Sequence, residues 1–266
     1  SALLLSAATG GWKITITGEN AEESPYVAMT AELIKAFPMN GGDFQVEPDA
    51  SSGSYFWAAD RLAPEIEKSP MALKLANQPP EMASSYVCVS QWPETGWQID
   101  QHFPAVLTRT PSLYFGPKQW NALSRFGTRD ASLTPFEIPV ISRATDLGDS
   151  IMTAIAIAPL AGSPVRFTDL GRLRVQECER VVALRTELTK CGAKVVEEGD
   201  TLIVYPSELH GAEIETYNDH RMAMCFAILG LKVPGIKIKN PACVKKTFPN
   251  FFQKLAMKPP FGIGAR

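Results

Sequence analysis

Apolar residues in the second half of the chain recur at helix and strand spacings in turn. A helix is predicted from about Asp149, and another over residues 176–190, where apolar side chains recur every three or four positions. Short apolar or alternating runs predict strands at 165–168, 194–198, 201–205, 212–215 and 236–239. Gly199-Asp200 between two of these runs predicts a hairpin turn. The resulting order α-β-α-β-β-β-α-β-α suggests one small repeated unit and predicts an α/β (α+β) fold.

The sharpest change from polar to apolar residues marks the start of one helix. Asn218, Asp219 and His220 are polar residues that suit a helix cap. Arg221 and an apolar run, 222–229, follow them, and a helix that is apolar on every side is predicted to be buried. The positive end of such a helix suits an anion. The other interpretation is an ordinary capped core helix with a surface arginine.

The first half of the chain is less regular. Its opening residues predict the end of a helix, and Ser24-Pro25 opens another. Alternating residues predict strands at 12–17 and 44–47. Most of the block near 60–146 is rich in proline and polar residues, which predicts an irregular insertion.

Composition excludes several classes of protein. The chain has 266 residues with 45% hydrophobic content, which is enough for a packed core in one large domain or two. A net charge of −2 provides no global basic field for nucleic acid. No apolar run approaches the roughly 18–20 residues that a membrane span needs, and no glycine-rich nucleotide loop occurs. Five scattered cysteines without Cys-x-x-Cys spacing predict reduced thiols and a cytoplasmic location, without disulfides or a zinc site.

Two groups of candidate functional residues contain carboxylates at predicted helix starts. Asp149 is either an ordinary N-cap or a carboxylate held at the mouth of a cleft. Glu177 and Arg180 are three positions apart, which predicts that they share one helical face. They form either an exposed ion pair of small energetic value or a general acid or base beside an anion clamp.

Two further groups are cationic. His220 and Arg221 begin the predicted buried helix. Lys245 and Lys246 lie just ahead of another predicted helix, which Thr247 would cap, although lysines are usually solvated. If these helix starts converge on one cleft, the four groups together predict a site for a multiply anionic substrate.

Three motifs occur in order along the chain: Arg-Val-x-Glu-x-x-Arg at 174–180, Tyr-Asn-Asp-His-Arg-Met-Ala-Met at 217–224, and Lys-Thr-Phe-Pro at 246–249. In order and spacing they resemble the motifs of the 5-enolpyruvylshikimate-3-phosphate synthase family. A supporting match is Asp-Ala-Ser-Ser-Gly-Ser-Tyr-Phe at 49–56. The resemblance implies repeated βαβαββ units in two globular domains, with the active site between them. Residues 1–46 would be the last part of the domain on the shikimate-phosphate side, and 47–266 the second domain, so that the architecture is N-terminally incomplete.

The resemblance also implies a reaction. The enolpyruvyl group of phosphoenolpyruvate would pass to the 5-hydroxyl of shikimate 3-phosphate with release of phosphate, and no metal or organic cofactor would take part. Asp149 would bind the shikimate hydroxyls and act as the proton acceptor, and Glu177 would deliver or remove the proton at C3. His220 would belong to the same catalytic set.

Substrate-binding residues follow from the same resemblance. Arg180 and Arg221 would bind phosphoenolpyruvate, because a planar guanidinium fork suits a carboxylate or a phosphate. Lys246 would bind the phosphate of phosphoenolpyruvate, and Tyr26 would line the shikimate phosphate side.

Several positions depart from the family pattern. Gln176 stands where the family has a lysine, and Arg172 stands where it has an asparagine, so the charge of Arg172 would partly replace the lost cation. The family's serine near Tyr26 aligns with Glu23, and Ser24 is displaced by one position.

The family's N-terminal catalytic lysine, its Ser-Ser-Gln triplet and a further arginine would all precede Ser1. The chain alone is therefore expected to show little or no synthase activity. Expected partners are the two substrates and a separate N-terminal fragment, with no nucleic acid and no membrane. The rival interpretation, which Gln176 and Glu23 favour, is a non-catalytic relative that binds an anionic metabolite or a partner. A purely structural αβ domain is the third.

Overall fold

The order of helices and strands predicted for the second half of the chain is present in the computed structural model. The structure describes residues 1–15, 24–38, 40–62, 89, 91–110, 113 and 138–256, without the side chains of Ala8 and Ser24. Its helices are α1 (Ala2–Gly10), α2 (Ser24–Ala36), α3 (Ala50–Leu62), α4 (Phe103–Arg109), α5 (Ile151–Ile157), α6 (Arg180–Lys190), α7 (His220–Leu229) and α8 (Phe251–Ala256). Its strands are β1 (Val140–Ser142), β2 (Val165–Thr168), β3 (Val195–Glu198), β4 (Thr201–Val204), β5 (Glu213–Ile214) and β6 (Lys237–Ile238). Short 3-10 helices cover Ile99–His102, Ala158–Leu160, Gly171–Val175 and Pro241–Lys246.

Strands β1 to β4 form one sheet in the order β1-β2-β4-β3. β1 and β2 are parallel, and β4 is antiparallel to both β2 and β3. Because α5 connects β1 to β2 and α6 connects β2 to β3, residues 140–204 form one βαβαββ unit. β5 and β6 then pair in parallel on either side of α7, and α8 follows, which repeats the βαβα order. The predicted α/β (α+β) class and its repeated unit are therefore confirmed.

Helices α5 and α7 form the centre of the core. Every residue of α5 is buried, and α7 is buried at every position except Arg221 and Ala227. The two helices touch at Thr153 and Cys225, where Oγ1 and Sγ lie 3.8 Å apart. The prediction that the apolar run after Arg221 forms a buried helix is confirmed.

The start of α6 differs from the prediction. The helix begins at Arg180 and not near residue 176, because the Glu179 carboxylate accepts the Val182 N–H at 2.5 Å and caps the helix there. The preceding residues form a 3-10 helix and a bend. Glu177 therefore lies ahead of α6. The prediction that Glu177 and Arg180 share one helical face is wrong.

The start of α8 also differs. Lys245 and Lys246 lie inside the 3-10 helix, because the Thr247 N–H donates to the Val244 carbonyl at 3.1 Å and continues the tighter turn. Thr247 is thus the C-cap of the 3-10 helix and does not cap α8, which begins at Phe251.

The first half of the chain is partly as predicted. α2 begins at Ser24, as expected. Residues 12–15 and 44–47 are not strands, and the exposure of Trp12 (58%) and Val46 (69%) leaves no buried face for a strand to form. Residues 16 and 17 lie outside the described residues, and the domain boundary near residue 46 stays a prediction.

Within the predicted irregular insertion, the described residues include the end of α3, the 3-10 helix Ile99–His102, α4 and β1. None of the helices that the structure describes has the length and apolar character needed to cross a bilayer.

Two leucines with opposite exposure test this packing. Leu184 in α6 is fully buried, whereas Leu231 after α7 is 45% exposed. Leu184→Ala is expected to lower the free energy of unfolding by about 2–5 kcal/mol, because it leaves a cavity. Leu231→Ala should change it by less than about 0.5 kcal/mol. Chemical denaturation measures both, and equal losses would contradict the packing.

Candidate active site

The starts of α5, α6 and α7 meet around the carboxylate of Asp149. Arg143 Nη2 donates to Asp149 Oδ1 at 3.1 Å. Arg221 Nη2 lies 3.3 Å from Oδ2, and Arg180 Nη1 lies 3.8 Å from the same oxygen. Burial raises the pKa of Asp149, but the charges of Arg221, Arg143 and Arg180 outweigh it and lower the pKa. Ser150, and not Asp149, is the N-cap of α5. The Asp149 carboxylate therefore pairs with the arginines and does not cap the helix.

A second, fully buried carboxylate connects α6 to α7. Asp219 Oδ2 accepts from Arg180 Nε at 2.7 Å, and Oδ1 accepts from Arg180 Nη2 at 3.4 Å. Oδ1 also accepts the Arg221 N–H at 2.8 Å, so Asp219 caps α7 as its sequence position predicted. Only 1% of the Arg180 side chain is exposed. A buried guanidinium needs such partners, because an unpaired buried charge is strongly destabilising.

A more exposed acidic residue joins the cluster at its rim. Glu177 Oε2 accepts from Arg180 Nη2 at 2.6 Å, and Oε1 accepts from Lys246 Nζ at 2.7 Å. Burial raises the pKa of Glu177, but the hydrogen bond from Lys246 and the charge of Arg180 lower it to about 2. Glu177 is therefore ionised at neutral pH in this state.

These contacts join residues far apart in the sequence into what we call the ion-pair cluster. Its carboxylates are Asp149, Glu177 and Asp219, and its cations are Arg143, Arg180, Arg221 and Lys246. The cluster thus holds one more positive than negative charge. An excess of arginine and lysine at a partly open site favours a carboxylate or phosphate ligand.

Tyr26 approaches the cluster from α2. The Asp149 N–H donates to its phenolic oxygen at 3.0 Å, and the Arg143 guanidinium lies 5.8 Å from the centre of its ring. Burial and the charge of Asp100 raise the pKa of Tyr26, so the phenol stays protonated. The Ser24 side chain lies outside the described residues.

The other predicted site residues take different places. His220 is 4% exposed, and burial and the charge of Arg221 lower its pKa, which favours the neutral imidazole at pH 7. His220 Nδ1 lies 3.7 Å from Asp219 Oδ1, too far for a hydrogen bond, and has no hydrogen-bond partner within the described ranges. The Gln176 amide oxygen accepts from Arg180 Nη1. Arg172 lies half-buried in the 3-10 helix Gly171–Val175.

Three residues at the cluster were not singled out in the sequence. Arg143 follows β1 inside the block that reads as irregular, and no local pattern points to it. Ser51 Oγ accepts from Arg221 Nη2 at 3.2 Å, and Tyr55 Oη lies 3.5 Å from Arg221 Nη1. Ser51 and Tyr55 belong to the motif at 49–56, which was the available signal. Within the described ranges, no three His, Cys, Asp or Glu side chains are grouped to hold a metal ion.

Comparison with known proteins identifies the family. The model of the EPSP synthase (3-phosphoshikimate 1-carboxyvinyltransferase) family matches residues 123–255, half of the chain. The chain belongs to the EPSP synthase family.

Individual members of the family are similar at moderate identity. A 3-phosphoshikimate 1-carboxyvinyltransferase from Nostoc punctiforme is 36% identical over 212 residues, which cover 79% of this chain and 43% of that protein. One from Pseudomonas syringae pv. tomato is 31% identical over 281 residues, covering 96% of this chain and 56% of that protein. A solved EPSP synthase from Acinetobacter baumannii matches with a TM-score of 0.46 and 18% identity, over 80% of this chain and 47% of that one. The chain spans about half the length of these relatives.

In this EPSP synthase family chain, the loop before α7 is held in a strained conformation. Tyr217 and Asn218 have φ angles of 53° and 58°, and left-handed backbone costs about 1–3 kcal/mol at a residue other than glycine. The Tyr217 hydroxyl donates to the buried Glu187 Oε1 at 2.8 Å, and Asn240 Nδ2 donates to Asn218 Oδ1 at 3.1 Å. These hydrogen bonds offset the strain and hold Asp219 at the start of α7.

The buried ion pair predicts a large difference between two arginines of α6. Arg180→Met leaves Asp219 buried without its cation and is expected to destabilise the protein by about 3–5 kcal/mol. Arg185 is 43% exposed and pairs with Glu197 at 3.2 Å, so Arg185→Met should cost less than about 1 kcal/mol. Urea denaturation of both variants measures the difference. A loss at Arg180 as small as at Arg185 would mean that the buried pair contributes little.

The pKa of Glu177 provides a second prediction. In the free protein the Glu177 carboxylate is expected to titrate at about 2. Saturating inorganic phosphate should raise this pKa, because a phosphate held by Lys246 and Arg180 weakens their stabilisation of the ionised carboxylate. Carbon-13 NMR of labelled glutamate side chains follows the titration. Glu215, whose pKa is lowered by Lys239, is the control that phosphate should leave unchanged. A Glu177 titration that does not respond to bound phosphate would contradict this.

Proposed function

We propose that this chain forms part of an EPSP synthase active site. The site would transfer the enolpyruvyl group of phosphoenolpyruvate to the 5-hydroxyl of shikimate 3-phosphate and release phosphate. The observation that carries the proposal is the meeting of Arg143, Arg180, Arg221 and Lys246 around Asp149 and Glu177. Relatives that share the family name support it.

The charge of the cluster fits both substrates. Each carries a carboxylate and a phosphate, and the guanidinium forks of Arg180 and Arg221 suit these planar or multidentate groups. We assign phosphoenolpyruvate to Arg180, Arg221 and Lys246, because these cations already hold Glu177 and Asp149 in place of a ligand. We assign the shikimate phosphate side to Tyr26 and Ser24.

We also assign two substrate-binding residues to the 3-10 helix Gly171–Val175 and the bend that follows it. Arg172 and Gln176 would face the same substrate phosphate as Tyr26, with Arg172 providing the charge that Gln176 lacks. The reaction would need no metal and no organic cofactor, as the family resemblance implies.

The ligand would also set the protonation states that the chemistry needs. With a pKa of about 2, Glu177 is a poor proton donor in the free state. A phosphoenolpyruvate phosphate that binds Lys246 and Arg180 removes these partners from Glu177, so its pKa rises and it can protonate C3. The same anion neutralises Arg221 beside Asp149, which raises the pKa of Asp149 and makes it a better proton acceptor.

The proton balance then closes over two steps. In the first, the 5-hydroxyl oxygen bonds to C2, Asp149 accepts the hydroxyl proton, and Glu177 gives a proton to C3. In the second, Glu177 takes a proton from C3 as the bond between C2 and the phosphate oxygen breaks, and the proton held by Asp149 passes to the departing phosphate. His220 would act as a neutral hydrogen-bonding group beside these carboxylates, since its lowered pKa keeps it uncharged.

A partner for the chain is a separate proposal. The chain spans about half the length of its relatives, and Leu3 (66%), Leu5 (54%) and Trp12 (58%) expose apolar side chains at and after α1. An N-terminal fragment of the same fold would cover this surface and complete the site. The four described cysteines are free thiols, which agrees with the cytoplasmic location that we infer.

The second candidate function is a non-catalytic relative that binds an anionic metabolite. It is favoured by Gln176, which provides an amide where the family has a cation and whose oxygen accepts from Arg180. Calorimetry with shikimate 3-phosphate and phosphoenolpyruvate, combined with a turnover assay, separates the two functions. Binding without turnover, even with the N-terminal part of the fold supplied, would support this second candidate.

Two neighbouring glutamates provide the decisive variants. Glu177→Gln is expected to reduce turnover by about 100-fold or more while both substrates still bind, because an amide cannot donate and recover the proton at C3. Glu179→Gln is the matched control: Glu179 caps α6 and pairs with Arg174, so turnover should stay within about threefold of the wild type. The assay uses the protein with the N-terminal part of the fold supplied. Full turnover by Glu177→Gln would remove Glu177 from the mechanism.

A further inference from the structure

The main chain at Asp149 is held by two side chains from other parts of the fold. The Asp149 N–H donates to Tyr26 Oη at 3.0 Å, and the next N–H, that of Ser150, donates to Asp100 Oδ1 at 2.8 Å. Tyr26 lies 123 residues earlier in the chain, and Asp100 lies 50 residues before Ser150. Neither contact is part of the helix itself.

Asp100 sits in a position with little freedom. Only 5% of the residue is exposed, and it belongs to the 3-10 helix Ile99–His102. A Cβ atom at Gly148 would lie 2.5 Å from Tyr26 Oη and 2.8 Å from Asp100 Oδ2. Both polar groups therefore reach the backbone at 148–150 only because residue 148 has no side chain.

This arrangement explains why Asp149 is free to meet the arginines. An aspartate at the start of a helix ordinarily accepts the helix's own free N–H groups. Here the N–H groups of Ile151 and Met152 donate to the carbonyls of Gly148 and Asp149 and not to a capping side chain, while Asp100 accepts the N–H of the N-cap residue, Ser150. The Asp149 carboxylate is left to bind Arg143 and to approach Arg221.

We propose that Asp100 is a positioning residue for Asp149, acting with Tyr26 through the backbone N–H groups of residues 149 and 150. It touches no reacting atom. Its part in catalysis rests on the proposed function, in which Asp149 binds the shikimate hydroxyls and accepts a proton, whereas its part in holding the backbone does not.

The test compares two substitutions of Asp100. Asp100→Ala removes the acceptor and leaves the Ser150 N–H unpaired, so affinity for shikimate 3-phosphate is expected to fall about tenfold or more. Asp100→Asn keeps an acceptor oxygen and should stay within about threefold of the wild type. Thr153→Val in α5 is the matched control, because it removes the buried hydrogen bond between Thr153 Oγ1 and Ser54 Oγ of α3, which lie 3.0 Å apart, without touching residues 148–150. It should lower the thermal midpoint and leave the affinity unchanged.

Isothermal calorimetry supplies the affinities, and crystal structures of the variants supply a measurement that does not depend on function. In Asp100→Ala the 3.1 Å contact between Arg143 and Asp149 is expected to be lost. The proposal is overturned if Asp100→Ala binds like the wild type, or if its Asp149 carboxylate stays on Arg143. It is also overturned if Asp100→Asn loses as much affinity for shikimate 3-phosphate as Asp100→Ala, since the loss would then come from the charge of Asp100 and not from its hydrogen bond.

The same experiments also cover a wild-type protein that does not bind the substrate and an Asp100→Ala variant that does not fold. A wild-type protein that does not bind shikimate 3-phosphate even with the N-terminal part of the fold supplied contradicts the proposed function, and the crystal structures then decide on Asp100 alone. If Asp100→Ala does not fold, Gly148→Ala replaces it, because its methyl group would displace Tyr26 Oη and Asp100 Oδ2. Unchanged affinity and an unchanged Asp149 in that variant would overturn the proposal.

Discussion

The buried ion pair between Arg180 and Asp219 joins the first residue of α6 to the cap of α7, and the rest of the site depends on it. Both side chains are almost completely removed from water. Ions in such a place are costly unless they are paired and hydrogen-bonded, and here Asp219 accepts from Arg180 and from the α7 backbone. One carboxylate thus satisfies a helix start and a buried guanidinium together, which brings the first turns of α6 and α7 close together.

The same constraint decides how the remaining charges are arranged. With Arg180 held by Asp219, Arg143 and Arg221 approach Asp149, and Lys246 approaches Glu177. The cluster is nearly neutralised by its own carboxylates, so it is stable without a ligand. Under the proposed function, an anionic substrate would exchange partners with these carboxylates and would not enter an empty positive cavity. That exchange couples binding to the pKa of each carboxylate, because every cation drawn to the ligand is one fewer stabilising an ionised acid.

Support for this arrangement comes from residues that touch no candidate ligand. Glu187 is fully buried and accepts from Lys190 and from Tyr217, and so it holds the strained loop before α7. Asp100 serves the start of α5 in a comparable way, from a different part of the chain. Each of these acids accepts hydrogen bonds that a helix start or a strained loop cannot satisfy by itself. Buried polar contacts from surrounding residues therefore hold the site in place, so that Asp149 and Glu177 can pair with the cations of the cluster.

The sequence by itself determined the elements whose signal is local. The buried helix after Arg221, the hairpin at Gly199-Asp200 and the cap at Asp219 depend on neighbours a few positions away, so periodicity and capping residues were enough to predict them. The four groups at predicted helix starts also indicated that Asp149, Glu177, Arg180, Arg221 and Lys246 belong to one site, but they did not point to Arg143. Only the tertiary structure decided that Arg143 and Tyr26 contact Asp149, and that Asp100 accepts the N–H of Ser150 beside it. These contacts join residues up to 123 positions apart in the sequence, and contacts between such distant residues produce no periodic pattern from which they could be predicted.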